Sequence, residues 1–181
     1  MPVPIEWVKN AGGLSPSVRD YPEGTSETFK KGALVIYDVS EDGVVEVTRA
    51  AGVPSDQNFL GIALKDATGT AGKRIPVLLP RSGDIFKASL ASAEATDVAP
   101  VGDDRGKLFG LIKRSTGTPA GSYVVDNSVT TWVKVIDINP EDVSKRGLDL
   151  LAALATGFTA GEDSVLFEFQ EAVLDNAGSQ A

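Results

Sequence analysis

The chain has 181 residues, with 17 Lys+Arg against 25 Asp+Glu for a formal net charge of −8, and it contains no His and no Cys. The two absences exclude a Ser-His-Asp triad, an imidazole metal site, a thiolate nucleophile, a disulfide framework and an iron–sulfur cluster; the acidic balance argues against a dedicated nucleic-acid binder, which needs a basic face. Hydrophobic residues make up 42% of the chain, enough for the core of one domain with arms, so disorder is not the expectation.

The chain starts Met1-Pro2-Val3-Pro4, without the basic and apolar regions of a secretory signal peptide. It also lacks an 18-residue apolar run, so neither a membrane helix nor a membrane partner is expected. The lack of Cys fits a cytosolic birthplace. Ile5-Glu6-Trp7-Val8 is a short apolar strand candidate, followed by Gly12, Gly13, Pro16, Pro22 and Gly24 with little periodicity. Residues 1–28 therefore read as an N-terminal arm, either frayed or docked on a neighbour. Trp7 favours docking, because a large apolar ring is wasted on a loose tail.

From Phe29 onward the pattern is short strands and turns. Ala33–Val39 and Val44–Thr48 flank Glu41-Asp42-Gly43, and Asp-Gly between β-rich runs is a hairpin signal. Phe59–Leu64 and Lys73–Leu79 flank an eight-residue loop; Pro76 has no amide hydrogen, so its strand is expected at an edge or at a bulge. Asp84–Ala88, Leu108–Lys113, Ser122–Val125, Trp132–Ile138 and Val165–Phe169 complete the set. About nine to ten short strands predict an all-β barrel or sandwich over residues 29–174, with 175–181 as a tail. Leu148, Leu151, Leu154 and Ala155 recur at helical spacing with Gly157 as a stop, which predicts one short helix near 148–158, inserted before the last strand. It either lids the barrel or joins a partner contact. Residues 90–99 fit helix or loop, and Asn139-Pro140-Glu141-Asp142 reads as a turn that can open one helical turn.

Little in the chain points to catalysis. Carboxylate pairs occur at Glu41/Asp42, Asp103/Asp104, Glu141/Asp142 and Glu162/Asp163, but adjacent acids in turns do not flank a substrate as a glycosidase requires. Asp103-Asp104-Arg105-Gly106 lacks the spaced oxygens of a calcium loop. Gly69-Thr70-Ala71-Gly72-Lys73 lacks Walker spacing and sits between strands. The expectation is a non-enzyme without cofactor or metal.

The order of phrases across residues 29–174 resembles the capsid decoration, or cement, proteins of tailed bacteriophages. Phe29-Lys30-Lys31-Gly32-Ala33-Leu34-Val35 looks like their first barrel strand. Phe59–Leu64 with Ile75–Leu79 looks like their central hairpin. Gly83-Asp84-Ile85-Phe86-Lys87-Ala88 looks like the strand carrying a G-D-x-F-x-A phrase, and Val133–Pro140 with Val165–Phe169 looks like the closing strands. The resemblance implies a virion structural protein outside the capsid, at junctions of its partner, the major capsid protein. Extended arms in that family reach neighbouring subunits. The segment 148–158 departs from the simplest form of the pattern. Contact candidates on this reading are Val3, Ile5, Trp7 and Val8 in the arm, with Leu151, Leu154 and Phe158 in the helix. Self-association as a trimer or dimer is expected, because a barrel with arms leaves strand edges to cover. The alternative is a carbohydrate-binding β module of a tail or adhesin. Such modules display rows of aromatics, whereas Trp7, Tyr21, Tyr37, Tyr123 and Trp132 are scattered.

Overall fold

The computed structural model describes residues 4–47, 59–92, 96–113, 123–129, 132–145, 158–160, 163–171 and 173–174. Among them the chain is all-β, as the strand pattern predicts: twelve strands, a 3-10 turn at Gly102–Asp104 and the short helix α1 (Pro140–Lys145), with helical residues again at 171 and 173–174. The helix starts at Pro140, where a missing amide hydrogen is harmless. The segment 148–157 lies outside the described residues.

Two compact units replace the single domain expected over 29–174. One comprises Met1–Val8 and Ile85–Glu168, the other Lys9–Asp84 and Phe169–Ala181. Nor do residues 4–28 form an arm. Strand β1 (Glu6–Asn10) belongs to a seven-stranded sheet and β2 (Val18–Pro22) to a five-stranded one. In this stretch Gly12, Gly13 and Pro16 fall between the strands, Pro22 ends β2, and Gly24 follows it. The backbone hydrogen bonds available in a sheet outweigh its weak local pattern.

The first unit is built around β7 (Asp84–Ser92). Its neighbours are β8 (Thr96–Val98), β9 (Leu108–Lys113), β10 (Tyr123–Asp126), β11 (Val133–Ile138) and β12 (Ser164–Phe169). The order β7-β10-β9-β11-β12 returns to β7 through a β7–β12 pairing, which closes a five-stranded barrel; β1 and β8 are added onto β7. β7 serves both sides of the closure because it is nine residues long. Phe86–Ser89 pair antiparallel with β12, while Leu90 and Ala91 pair parallel with β10. Closure removes the exposed edges that an open sheet presents.

In the second unit the order is β2-β6-β5-β3-β4, with β3 (Leu34–Asp38), β4 (Gly43–Glu46), β5 (Phe59–Ala63) and β6 (Arg74–Leu78). The predicted hairpin is present: Asp38 opposes Gly43, and Asp42 takes a positive φ of 48° in the turn. A bulge between Val35 and Ile36 shifts the β3–β5 register. Beside it, Gly61 approaches β6 so closely that a Cβ would lie 2.1 Å from the Leu78 carbonyl oxygen. Past β2, Glu23 bridges to Val44, and the Gly24 amide donates to the Val44 carbonyl at 3.0 Å, which covers the edge of β4.

Pro76 is a correction to the expected edge or bulge. It sits in β6, between β2 and β5, in regular register with both. Leu64 donates to the Pro76 carbonyl at 2.9 Å, so the proline nitrogen faces Leu64, just past the end of β5 at Ala63. Toward β2, the Leu79–Ser17 and Glu23–Lys73 bonds place the Asp20–Pro76 pair at a position that exchanges no hydrogen bonds. The ladder therefore loses one donor at its very end, where the loss is tolerable.

Candidate functional site

The registers of the barrel define its inner face. Phe86 opposes Phe167, Ala88 opposes Val165, Val125 lies between Leu90 and Leu111, and Val133 opposes Phe109. All are buried, with relative exposures of 0–5%. The Phe86 and Phe167 rings stack at 5.8 Å between centroids. These large side chains fill the barrel interior, as is usual for a small closed barrel. Any binding by this unit therefore belongs to its outer surface.

On that outer surface Leu108 opposes Lys134, and alternation along β11 puts Ile136 on the same face. Leu108 is 39% exposed, Ile136 38% and the nearby-in-sequence Val101 51%. An open groove of about 510 Å³ is lined by Asp104, Lys107, Leu108, Phe109 and Asn127. Its wall is stiff. Asp104 is buried, accepts the Val101 amide at 2.8 Å and meets the Lys107 ammonium at 3.4 Å. Gly106 and Lys107 exchange backbone hydrogen bonds with Val135.

The paired carboxylates hold loops rather than face one another. Asp42 accepts the Tyr37 hydroxyl at 2.8 Å, and Glu41 accepts the Thr25 amide at 3.4 Å. Asp163 accepts the Thr159 amide at 2.6 Å. Asp142 is buried with Asn139 and Ser164; its Oδ2 receives the Asn139 amide group, the Ser164 amide and the Ser164 hydroxyl. This knot ties the start of α1 to the start of β12. Among the described residues no group of three or more acidic side chains is arranged to hold a metal ion.

Of the contact candidates, Ile5 is a core residue, only 4% exposed, which corrects its role as a surface anchor. Trp7 and Val8 are half-buried in β1, beside β7. Phe158 is half-buried outside any strand or helix. Val3, Leu151 and Leu154 lie outside the described residues. Leu108 and Ile136 are two of the exposed apolar residues that the sequence reading passed over; Leu14, Val18, Val39 and Val101 are exposed as well. The alternation of Val133 and Val135 with Lys134 and Ile136 could have marked Ile136 as outward-facing. Comparison with protein-family models, curated proteins and solved structures found no match for this chain.

One exposed carboxylate, Asp66, contributes to the acid response. Asp66 accepts the Lys31 amide at 2.8 Å and pairs with the Lys30 ammonium at 2.9 Å. The amide bond and then the lysine hold its pKa below the ordinary carboxylate range. A lowered folded-state pKa contributes stability above the unfolded value and loses it as pH falls through the folded one. Asp66→Asn should therefore flatten the acid limb of stability against pH. The effect is capped at about 1 kcal/mol because the pair is solvent-screened. Chemical denaturation between neutral pH and the low end of the carboxylate range measures it, and an unchanged acid limb would exclude this role for Asp66.

Proposed function

We propose that this chain is a virion structural protein, a cement protein that binds the outside of a tailed-phage head at junctions of the major capsid protein and stiffens the shell. The observation that carries the reading is the closed, side-chain-filled barrel, a rigid body that presents Leu108 and Ile136 on its outer face. The resemblance of residues 29–174 to the decoration family supports the same conclusion. Adhesion to a repeating lattice needs stiff bodies and modest apolar anchors, because many weak contacts add up over the shell. The protein is made in the host cytoplasm and ends on the capsid exterior, where self-association as a trimer or dimer would multiply its contacts.

Titration onto purified phage shells tests this reading. Saturable binding and a higher shell melting temperature are expected. Leu108→Asp and Ile136→Asp should each weaken binding about tenfold, while the isolated protein's stability changes by less than about 0.5 kcal/mol. Shells that bind no protein, or that melt unchanged when saturated, would overturn the proposal. Undiminished binding by both variants would move the docking face elsewhere.

A further inference from the structure

Two tyrosines that lie 16 positions apart in the chain come together in the second unit. Tyr21 opposes Ile75 on β6, and Tyr37 opposes Val44 on β4. Both rings are half-buried, and their centroids are 6.2 Å apart with planes tilted by 57°. At that separation the rings pack on one another and form a small half-buried aromatic patch. Of the other three scattered aromatics, Tyr123 and Trp132 are each 1% exposed and belong to the core, and Trp7 is half-buried in β1 of the other unit.

The surroundings of this pair are polar and carry both signs. Tyr37 donates its hydroxyl to Asp42 at 2.8 Å, which fixes the ring. That hydrogen bond, with burial and the Asp42 charge, holds the phenol pKa above its usual range, and the nearby Arg74 guanidinium opposes it. Arg74 is exposed at the start of β6 and donates to the Asp20 carbonyl at 3.0 Å. One guanidinium among Asp20, Asp38 and Asp42 leaves no net positive field, so a phosphate or nucleotide would be repelled. A proline-rich peptide would use the rings but, lacking backbone N–H groups, would add no donor to Asp42 beyond the Tyr37 hydroxyl. A neutral sugar matches both features: its C–H face packs on a tyrosine ring, and its hydroxyls can donate to Asp42 and accept from Arg74.

We propose that Tyr21, Tyr37, Asp42 and Arg74 form a subsite for one neutral hexopyranose unit of a glycan. The site lies in the other compact unit from Leu108 and Ile136, so it stands or falls independently of shell docking. A single subsite with one polar pair should bind with a Kd on the order of 1–10 mM.

The test is saturation-transfer NMR on the full-length chain with glucose-, galactose-, mannose- and N-acetylglucosamine-terminated trisaccharides, with decaproline as a parallel probe. Transfer to at least one trisaccharide is expected. Tyr21→Ala and Tyr37→Ala should weaken it about tenfold and Arg74→Ala about threefold, while Leu108→Asp leaves it unchanged. Tyr37→Phe keeps the packed ring and tests the Asp42 link if the alanine variants do not fold; it should weaken transfer by a smaller factor. No transfer at tens of millimolar sugar, transfer indifferent to Tyr21, Tyr37 and Arg74, or transfer to decaproline alone would each overturn the proposal.

Discussion

Replacing Phe167 with Ala is expected to cost about 3–5 kcal/mol of folding stability, the range for emptying a large buried aromatic site. Phe167 has no exposed surface and stacks on Phe86 in the β7–β12 pairing that closes the barrel. Truncation would leave a void between strands that the closed hydrogen-bonded ring prevents from collapsing. Set against a typical total of about 5–15 kcal/mol, such a loss brings the unit close to unfolding. Urea denaturation would show a lower midpoint with little change in slope. Val39→Ala, at a residue 81% exposed, should stay within about 0.5 kcal/mol as a control. A loss at Phe167 below about 1 kcal/mol would be inconsistent with a close-packed barrel interior.

Glu23→Ala should cost about 3 kcal/mol through a different mechanism. Glu23 is 1% exposed, and its carboxylate accepts the Thr68 amide at 2.7 Å, the Thr68 hydroxyl at 3.0 Å and the Gly69 amide at 2.6 Å. Its own backbone binds Gly72 and Lys73 at 2.8 Å each. One side chain thus clamps the β5–β6 loop onto the end of β2. Alanine removes the acceptor and strands its donors, each worth about 1–3 kcal/mol if they stay dry. Water entering the loop would recover part of that loss. Glu23→Gln keeps one acceptor oxygen but turns an amide donor toward other donors, so it should fall between wild type and alanine. Amide exchange provides the local readout: Thr68 and Gly69 should lose protection in both variants, while Val165 and Phe167 in the barrel keep theirs. Unchanged protection at Thr68 and Gly69 would show that the loop does not depend on Glu23.

Two of the expectations that failed did so for reasons of neighbourhood. Pro76 reads as an edge marker because a proline costs a donor, but whether that donor was needed depends on where β5 stops. Glu6–Asn10 and Val18–Pro22 read as an arm because Gly and Pro interrupt the stretch, yet strand partners 50 or more positions away recruit both pieces into sheets. By contrast the hairpin at Glu41-Asp42-Gly43 and the strands with strong alternation were readable, because their turn chemistry and side-chain period are local. The start of α1 at Pro140 was readable for the same reason.

The candidate sites divide in the same way. That carboxylate pairs in turns serve the turns follows from their spacing, and the Asp42, Asp104 and Asp142 hydrogen bonds agree. The meeting of Tyr21 with Tyr37 does not follow from any spacing, because it depends on how β2 and β4 come together through Glu23 and Val44.

Residue type and local order decided that this chain is all-β, lacks thiol and imidazole chemistry, and turns where Gly, Pro and Asp occur. Those properties depend on steric preference, ionisable groups and a period of two, all carried by neighbouring residues. Barrel closure through β7 and β12, the division into two units, and which apolar residues face outward were decided by the tertiary structure. They depend on strand pairing between distant segments, and one strand's register with another is set by the packing of both faces at once.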